Sequence, residues 1–226
     1  EINRSAYIVE LITQTLSYKI KYGYLNNEKL IERLKYYITE NPVVSGISVA
    51  YAPYAYDKNK RLFGRYVART ANGIETYNLD ELYDYTKKSL NDASYKMFYP
   101  DSIEEKAVLW TDPTIEPLTK KFVAGCSNDF YTHDGKDLVA VVTVFVDMDS
   151  ITKRIEAINL GAQGTSFLLS KNGVFLYHPS LNYKENKSTI VEMAQKIASP
   201  GLTNLWEKWG VKLHGFYAFK NVAAQD

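Results

Sequence analysis

Residues 138–149 read LVAVVTVFVDMD, and this stretch organises the chain. Val139, Val141, Val142, Val144 and Val146 are β-branched, and no Gly or Pro interrupts them. A run of this length and character predicts a strand buried on both faces. It is too short to cross a bilayer as a helix. Asp147 and Asp149 end the apolar character. Ser150 is then placed to cap a short amphipathic helix, SITKRIEAIN, with Ile151, Ile155 and Ile158 on one side. A buried strand leading into a connecting helix predicts a hinge between two domains.

The chain on either side has 226 residues, enough for one large domain or two of about 100 residues. The net charge of +1 provides no field for nucleic acid or an anionic membrane, so neither is expected as a direct partner. Nineteen tyrosines are available for half-wet surfaces and pockets, where a rigid apolar ring carries a polar tip. One cysteine, Cys126, excludes an internal disulfide and reads as a buried thiol. The chain opens at Glu1, without Met, on a pattern that is already helical. We therefore read it as a segment of a longer protein.

Ile8, Leu11, Ile12, Leu16 and Ile20 recur at helical spacing and predict a helix of about 20 residues. A second helix is expected over 28–39, stopped by Asn41-Pro42. Strands are expected over 43–51 and 61–69, with Asn72-Gly73 as a turn, and a helix over 79–90. The aromatic and polar stretch 91–114 reads as a long functional loop. Residues 122–126 and 129–131 form a third strand region, joined by the His133–Lys136 turn to the valine strand. Beyond the connecting helix come strands over 166–170 and 174–178, a helix over 188–198 and a short strand over 215–220. A faint repeat links the halves: strand, polar turn, strand, helix.

Four stretches, in this order, resemble the double Cache sensor domain of chemotaxis receptors, sensor kinases and membrane-bound phosphatases. They are AYAPYAYDKNKRLFGRYVAR, YDYT with the later WTDP, FVAGCSNDFYTHDGKDLVAVVTVFVDM, and GAQGTSFLLSKNGVFLYHP. The chain departs from the family at Ala93-Ser94-Tyr95, where an Asp-Trp-Tyr is usual, and at Ser127-Asn128-Asp129, where a Ser-x-Pro is usual. The resemblance implies an α+β fold in which a long N-terminal helix precedes two PAS-like antiparallel-sheet modules, the second incomplete. The divisions are then stalk helices 1–41, a membrane-distal ligand-binding module 42–150, a connecting helix 151–160 and a membrane-proximal module 161–226. It further implies an extracytoplasmic position and attachment through transmembrane helices outside this stretch. A small ligand of the amino acid, amine or carboxylate class would move the helices. A homodimer is compatible with this plan.

By the same resemblance Asp147 would hold a ligand ammonium. The alternative is a helix cap or a solvated strand end. Trp110, Tyr83, Tyr85 and Tyr95 are candidates to line the pocket, or else ordinary core aromatics. Arg69 could pair bidentately with a carboxylate, or form a surface ion pair. Asp129 is a further pocket candidate, otherwise a strand-edge charge. His133-Asp134 sits in a turn with His178 and His214 distant in sequence, so no metal site is expected. No phosphate loop, nucleophile elbow or paired-carboxylate spacing occurs, so no enzyme and no cofactor are expected. The competing reading is a spacer or dimerisation module that binds no small molecule.

Overall fold

The computed structural model describes residues 2–82, 84–86, 108–157, 166–170, 173–184, 188–196 and 217–218. Two compact units divide the chain: Tyr7–Asp147, and Met148–Asp226 together with Glu1–Ala6.

The larger unit begins in the long helix α1 (Ile2–Lys21). Its buried stripe is Val9, Ile12, Thr13, Leu16, Ser17 and Ile20, spaced three and four apart. Leu11, expected on that stripe, is 50% exposed. The stripe is rotated because two hydroxyl residues take inner positions. Their cost is met locally, since Thr13 Oγ1 donates to Val9 O at 2.8 Å and Ser17 Oγ to Thr13 O at 2.9 Å. Helix α2 (Asn27–Glu40) starts at Asn26, whose side chain accepts from Lys29 N at 2.9 Å. It buries Leu30, Leu34 and Ile38.

The sheet of this unit contains β1 (Val44–Tyr51), β2 (Gly64–Thr70), β3 (Gly73–Asn78), β4 (Leu109–Trp110), β5 (Thr114–Ile115), β6 (Phe122–Tyr131) and β7 (Leu138–Asp147). Its order is β3-β2-β1-β7-β6-β4, with β5 also paired to β6, and every pairing is antiparallel. The valine strand lies inside the sheet, as its composition predicts. The third strand region is one continuous strand, β6. Strand β3 was not expected from the sequence, because IETYN lacks an apolar alternation, and the structure leaves it exposed or half-buried at the edge. Of the helix expected over 79–90, the described residues show one short turn, α3 (Leu79–Leu82). Asp80 there accepts from Gly64 N at 3.0 Å and pairs with Lys60 at 2.7 Å and Arg65 at 3.0 Å. These contacts anchor the start of β2.

Opposed residues in an antiparallel pair share a face, so the register assigns every side chain to one side. One face carries Val67, Ile47, Val144 and Cys126 in a single row. The two helices cover this face. Thr13 Oγ1 of α1 lies 3.7 Å from Cys126 Sγ, and Arg69 of β2 donates to Ile38 O of α2. Burial pushes the Cys126 thiol up to about 12, as expected for a structural cysteine.

In the smaller unit the chain turns from β7 directly into the helix Met148–Glu156. Ser150 therefore lies within the helix and not at its cap, because helical geometry begins as soon as the strand ladder ends. Strands β8 (Leu168–Leu169), β9 (Phe175–Tyr177) and β10 (Tyr217–Ala218) form a sheet of order β10-β8-β9. The helix Ile190–Lys196 supplies Ile190 to a core with Leu169 and Phe175. The fold is thus α+β, with N-terminal helices and antiparallel sheets.

Two tests follow from this packing. A Cβ on Gly46 would lie 2.7 Å from the ring of Tyr66, which is only 1% exposed. Gly46→Ala should lower stability by about 1–3 kcal/mol in urea denaturation. A variant of wild-type stability would show that the Tyr66 ring can withdraw. Burial alone would raise the Asp80 carboxyl, but hydrogen bonds from Lys60 and the Gly64 amide bring it below its ordinary value of 3.8. A depressed carboxylate stabilises above its unfolded value, and that contribution is lost as pH falls through the folded value. The stability gap between wild type and Asp80→Asn should therefore be constant above that ordinary value and close below it. A gap that widened on acidification would refute this role.

Candidate functional site

The far side of the same sheet, turned away from α1 and α2, is built differently. Along β1 the residues Gly46, Ser48 and Ala50 alternate with Ile47, Val49 and Tyr51. The large members of this alternation face the helices and the small ones face away. On β6 the far-side residues are Val123, Gly125, Ser127 and Asp129. On β7 they are Val141, Thr143, Phe145 and Asp147. The register aligns Tyr77, Tyr66, Ser48, Thr143 and Ser127 in one row across five strands. The next row holds Glu75, Ala68, Gly46, Phe145 and Gly125.

Three adjacent side chains in the first row are hydroxyls, and all are buried: Ser48 0%, Thr143 0% and Ser127 3% exposed. Ser127 Oγ and Thr143 Oγ1 are bonded to each other at 2.9 Å. Ser48 Oγ, one strand further along, makes no hydrogen bond among the described residues. A buried hydroxyl without a partner costs free energy and calls for a water or a ligand. Aromatic rings flank the row: Tyr66 and Phe145 meet edge-to-face at 5.6 Å, and Tyr66 and Tyr77 stack at 5.9 Å. Glycines at 46 and 125 keep the adjacent row low beside these rings.

The expected site residues divide between the two faces. Asp129 lies on the far side, one row beyond Ser127 and opposite Val141. It accepts from Tyr131 Oη at 2.8 Å, and it has no ion-pair partner among the described residues. Desolvation raises its carboxyl above the ordinary value, more than the Tyr131 bond lowers it. Asp147 is half-buried, opposite Val123 at the other end of β7, and its amide donates to Val43 O at 3.1 Å. Tyr85 is fully buried beneath the far side. Its hydroxyl donates to Tyr51 O at 2.8 Å and accepts from Phe63 N at 3.1 Å, so it braces β1 against the start of β2.

Trp110 and Arg69 lie on the other face. Trp110 pairs with Cys126, on the helix-covered face, and its Nε1 donates to Glu10 of α1 at 2.8 Å. Arg69 shares the parity of Val67 and donates to the end of α2. Neither lines the hydroxyl row. Tyr83 and Tyr95 lie outside the described residues. The turn at His133-Asp134 is closed by Thr132, whose hydroxyl donates to Asp134 at 2.6 Å. Among the described residues, no group of three or more His, Cys, Asp or Glu could hold a metal ion. Ser48, Thr143 and Ser127 were not singled out from sequence. Their signal was the small-and-large alternation of SGISVAY.

Residues 30–153 match the family described as methyl-accepting chemotaxis protein-like, first PDC sensor domain. No curated protein matches the chain. Among solved structures, an extracellular domain assigned to the histidine kinase mmHK1S-Z3 superposes with a TM-score of 0.70 at 16% identity, covering 94% of this chain and 77% of that one. The periplasmic sensory domain of the Campylobacter jejuni chemoreceptor Tlp1 gives 0.61 at 12% identity, covering 91% and 74%. The ligand binding domain of Mlp24 with asparagine gives 0.56 at 16% identity, covering 88% and 70%. Likeness at these identities extends to the fold.

The orphaned hydroxyl is open to test in the protein without added ligand. Ser48→Ala should be neutral or stabilising by up to about 1 kcal/mol, whereas Ser127→Ala, which strands Thr143, should cost about 1–3 kcal/mol. Chemical denaturation measures both. Equal losses would mean that the Ser48 hydroxyl has a partner within the fold.

Proposed function

The chain belongs to the methyl-accepting chemotaxis protein-like first PDC sensor domain family, and from that premise we propose that it is the extracytoplasmic input domain of a membrane receptor. In this reading a small polar organic molecule, of the amino acid, amine or carboxylate class, binds over the far side of the Tyr7–Asp147 sheet. The observation that carries the proposal is the buried hydroxyl row with Ser48 left unbonded. The hydroxyls interrupt a buried apolar cluster on the same side, formed by Ala50, Tyr66, Ala68, Val123, Val141 and Phe145. Rings at Tyr66 and Phe145 would enclose the apolar part of the guest, and the hydroxyls would orient its polar part. The asparagine in the Mlp24 structure agrees with a guest of this size.

A guest bound on β1, β7 and β6 would bias the position of β7. That strand passes without a loop into the helix Met148–Glu156, which offers a route for the signal. No helix among the described residues is long and apolar enough to cross a membrane. Membrane attachment in this proposal rests on segments beyond residues 1–226.

The test is a thermal-shift panel of the twenty L-amino acids, simple amines and short carboxylates. At a concentration of one hundred times Kd, a true ligand should raise Tm by about 5–10 °C. Ser48→Ala should reduce that shift. A panel that moves nothing would favour the spacer that binds no small molecule.

A further inference from the structure

We propose that the tip of the helical pair α1 and α2 holds a second binding site, and that it takes an aromatic monocarboxylate, one flat ring bearing one acid group. The site is separate from the far side of the sheet, because α2 covers the opposite face. A recess of about 360 Å³ opens at the tip, lined by Tyr24, Leu25, Lys29, Glu32, Arg33 and Tyr36.

The fold does not use these side chains. Leu30, Leu34 and Ile38 form the buried stripe of α2. Lys29, Glu32, Arg33 and Tyr36 recur three and four apart and form a separate stripe on the solvent side. The turn between the helices supplies the other wall and holds it in place. Gly23 has φ +70°, its amide donates to Ile20 O at 3.0 Å, and the Tyr24 amide donates to Lys19 O at 2.9 Å. That pattern ends a helix on a left-handed glycine. Asn26 then caps α2, so both ends of the turn are fixed. The Tyr24 ring stacks on Tyr18 at 6.4 Å, and Tyr18 meets Tyr22 at 4.6 Å. Tyr24 is nevertheless 63% exposed and Tyr36 52%. Two tyrosine rings thus stand in water beside a preformed recess, where an aromatic guest can stack.

Charge defines the rest of the guest. Lys29 and Arg33 lie one turn apart on α2, and like charges at that spacing destabilise a helix. Neither makes an ion pair among the described residues. The half-buried Arg33 rests over the Tyr36 ring, its guanidinium carbon 5.6 Å from the ring centre. A guanidinium so placed keeps its edge donors for a carboxylate, which it binds bidentately. Glu32 lines the same recess, so two cations against one acid leave one positive charge. That balance suits a single carboxylate and disfavours a dianion. The volume lies at the lower end for small-molecule sites, which fits one ring.

The experiment is a titration followed by the backbone amide resonances of the whole chain. The probes are benzoate, phenylacetate and 4-hydroxybenzoate, with benzyl alcohol as the uncharged ring, acetate as the acid without a ring, and phenyl phosphate as the dianion. At least one aromatic acid should bind with a Kd of roughly 0.1–1 mM, as a ligand of about ten non-hydrogen atoms can reach. Its shifts should centre on residues 24–36. Benzyl alcohol, acetate and phenyl phosphate should each bind about tenfold more weakly or not at all. Arg33→Gln and Tyr24→Ala should each weaken the aromatic acid by about fivefold or more while leaving Tm unchanged, since both side chains stand outside the core. Benzyl alcohol binding as well as the acids would remove the role of the cations, and acetate binding as well would remove that of the rings. Tighter binding of phenyl phosphate would overturn the monocarboxylate assignment. Shifts centred elsewhere, an Arg33→Gln variant that binds as wild type, or no binding by any probe would overturn the site itself, and none of these results bears on the far-side guest.

Discussion

The antiparallel register of β1, β7 and β6 is the constraint on which the rest depends. Side chains alternate with period two, so a slip of one residue would exchange the two faces. Val142, Val144 and Val146 would then turn away from the helices, and Thr143 would be pressed among apolar side chains. The pairing is fixed because one face must accept α1 and α2. The arrangement of hydroxyls on the other face follows from the same pairing. Packing on one side of the sheet and chemistry on the other are therefore set by a single register.

Several elements were legible because their pattern has one physical solution. The valine run admits only an interior strand, and Asn41-Pro42 marks the stop of α2. The motif order already resembled a sensor family. Strand β3 was hidden because an edge strand needs no apolar alternation. The inner face of α1 was misread because Thr13 and Ser17 look like surface residues. In place, each returns its hydroxyl to a carbonyl of its own helix and packs like a small apolar group.

The candidate site was only half legible for a related reason. Sequence shows which residues could do chemistry, but their side of the sheet depends on pairing partners far away in the chain. Trp110 falls on the helix-covered side by parity, because it stands opposite Cys126. Arg69 did so as well, since it shares the parity of Val67. Ser48 was overlooked because a lone serine in a strand ordinarily reads as solvent-facing. Its importance comes from complete burial and from the Thr143 and Ser127 hydroxyls aligned with it.

The two borders of the larger sheet have a consequence of their own. On one side, β3 presents Glu75 and mostly polar neighbours. On the other, β6 is bordered by two dipeptide strands, β4 and β5, with Asp112 and Pro113 between them. A proline cannot donate to a ladder, and such short pieces give an incoming strand little to grip. Among the described residues, neither margin is a good template for another chain, which disfavours open-ended fibrous assembly through them.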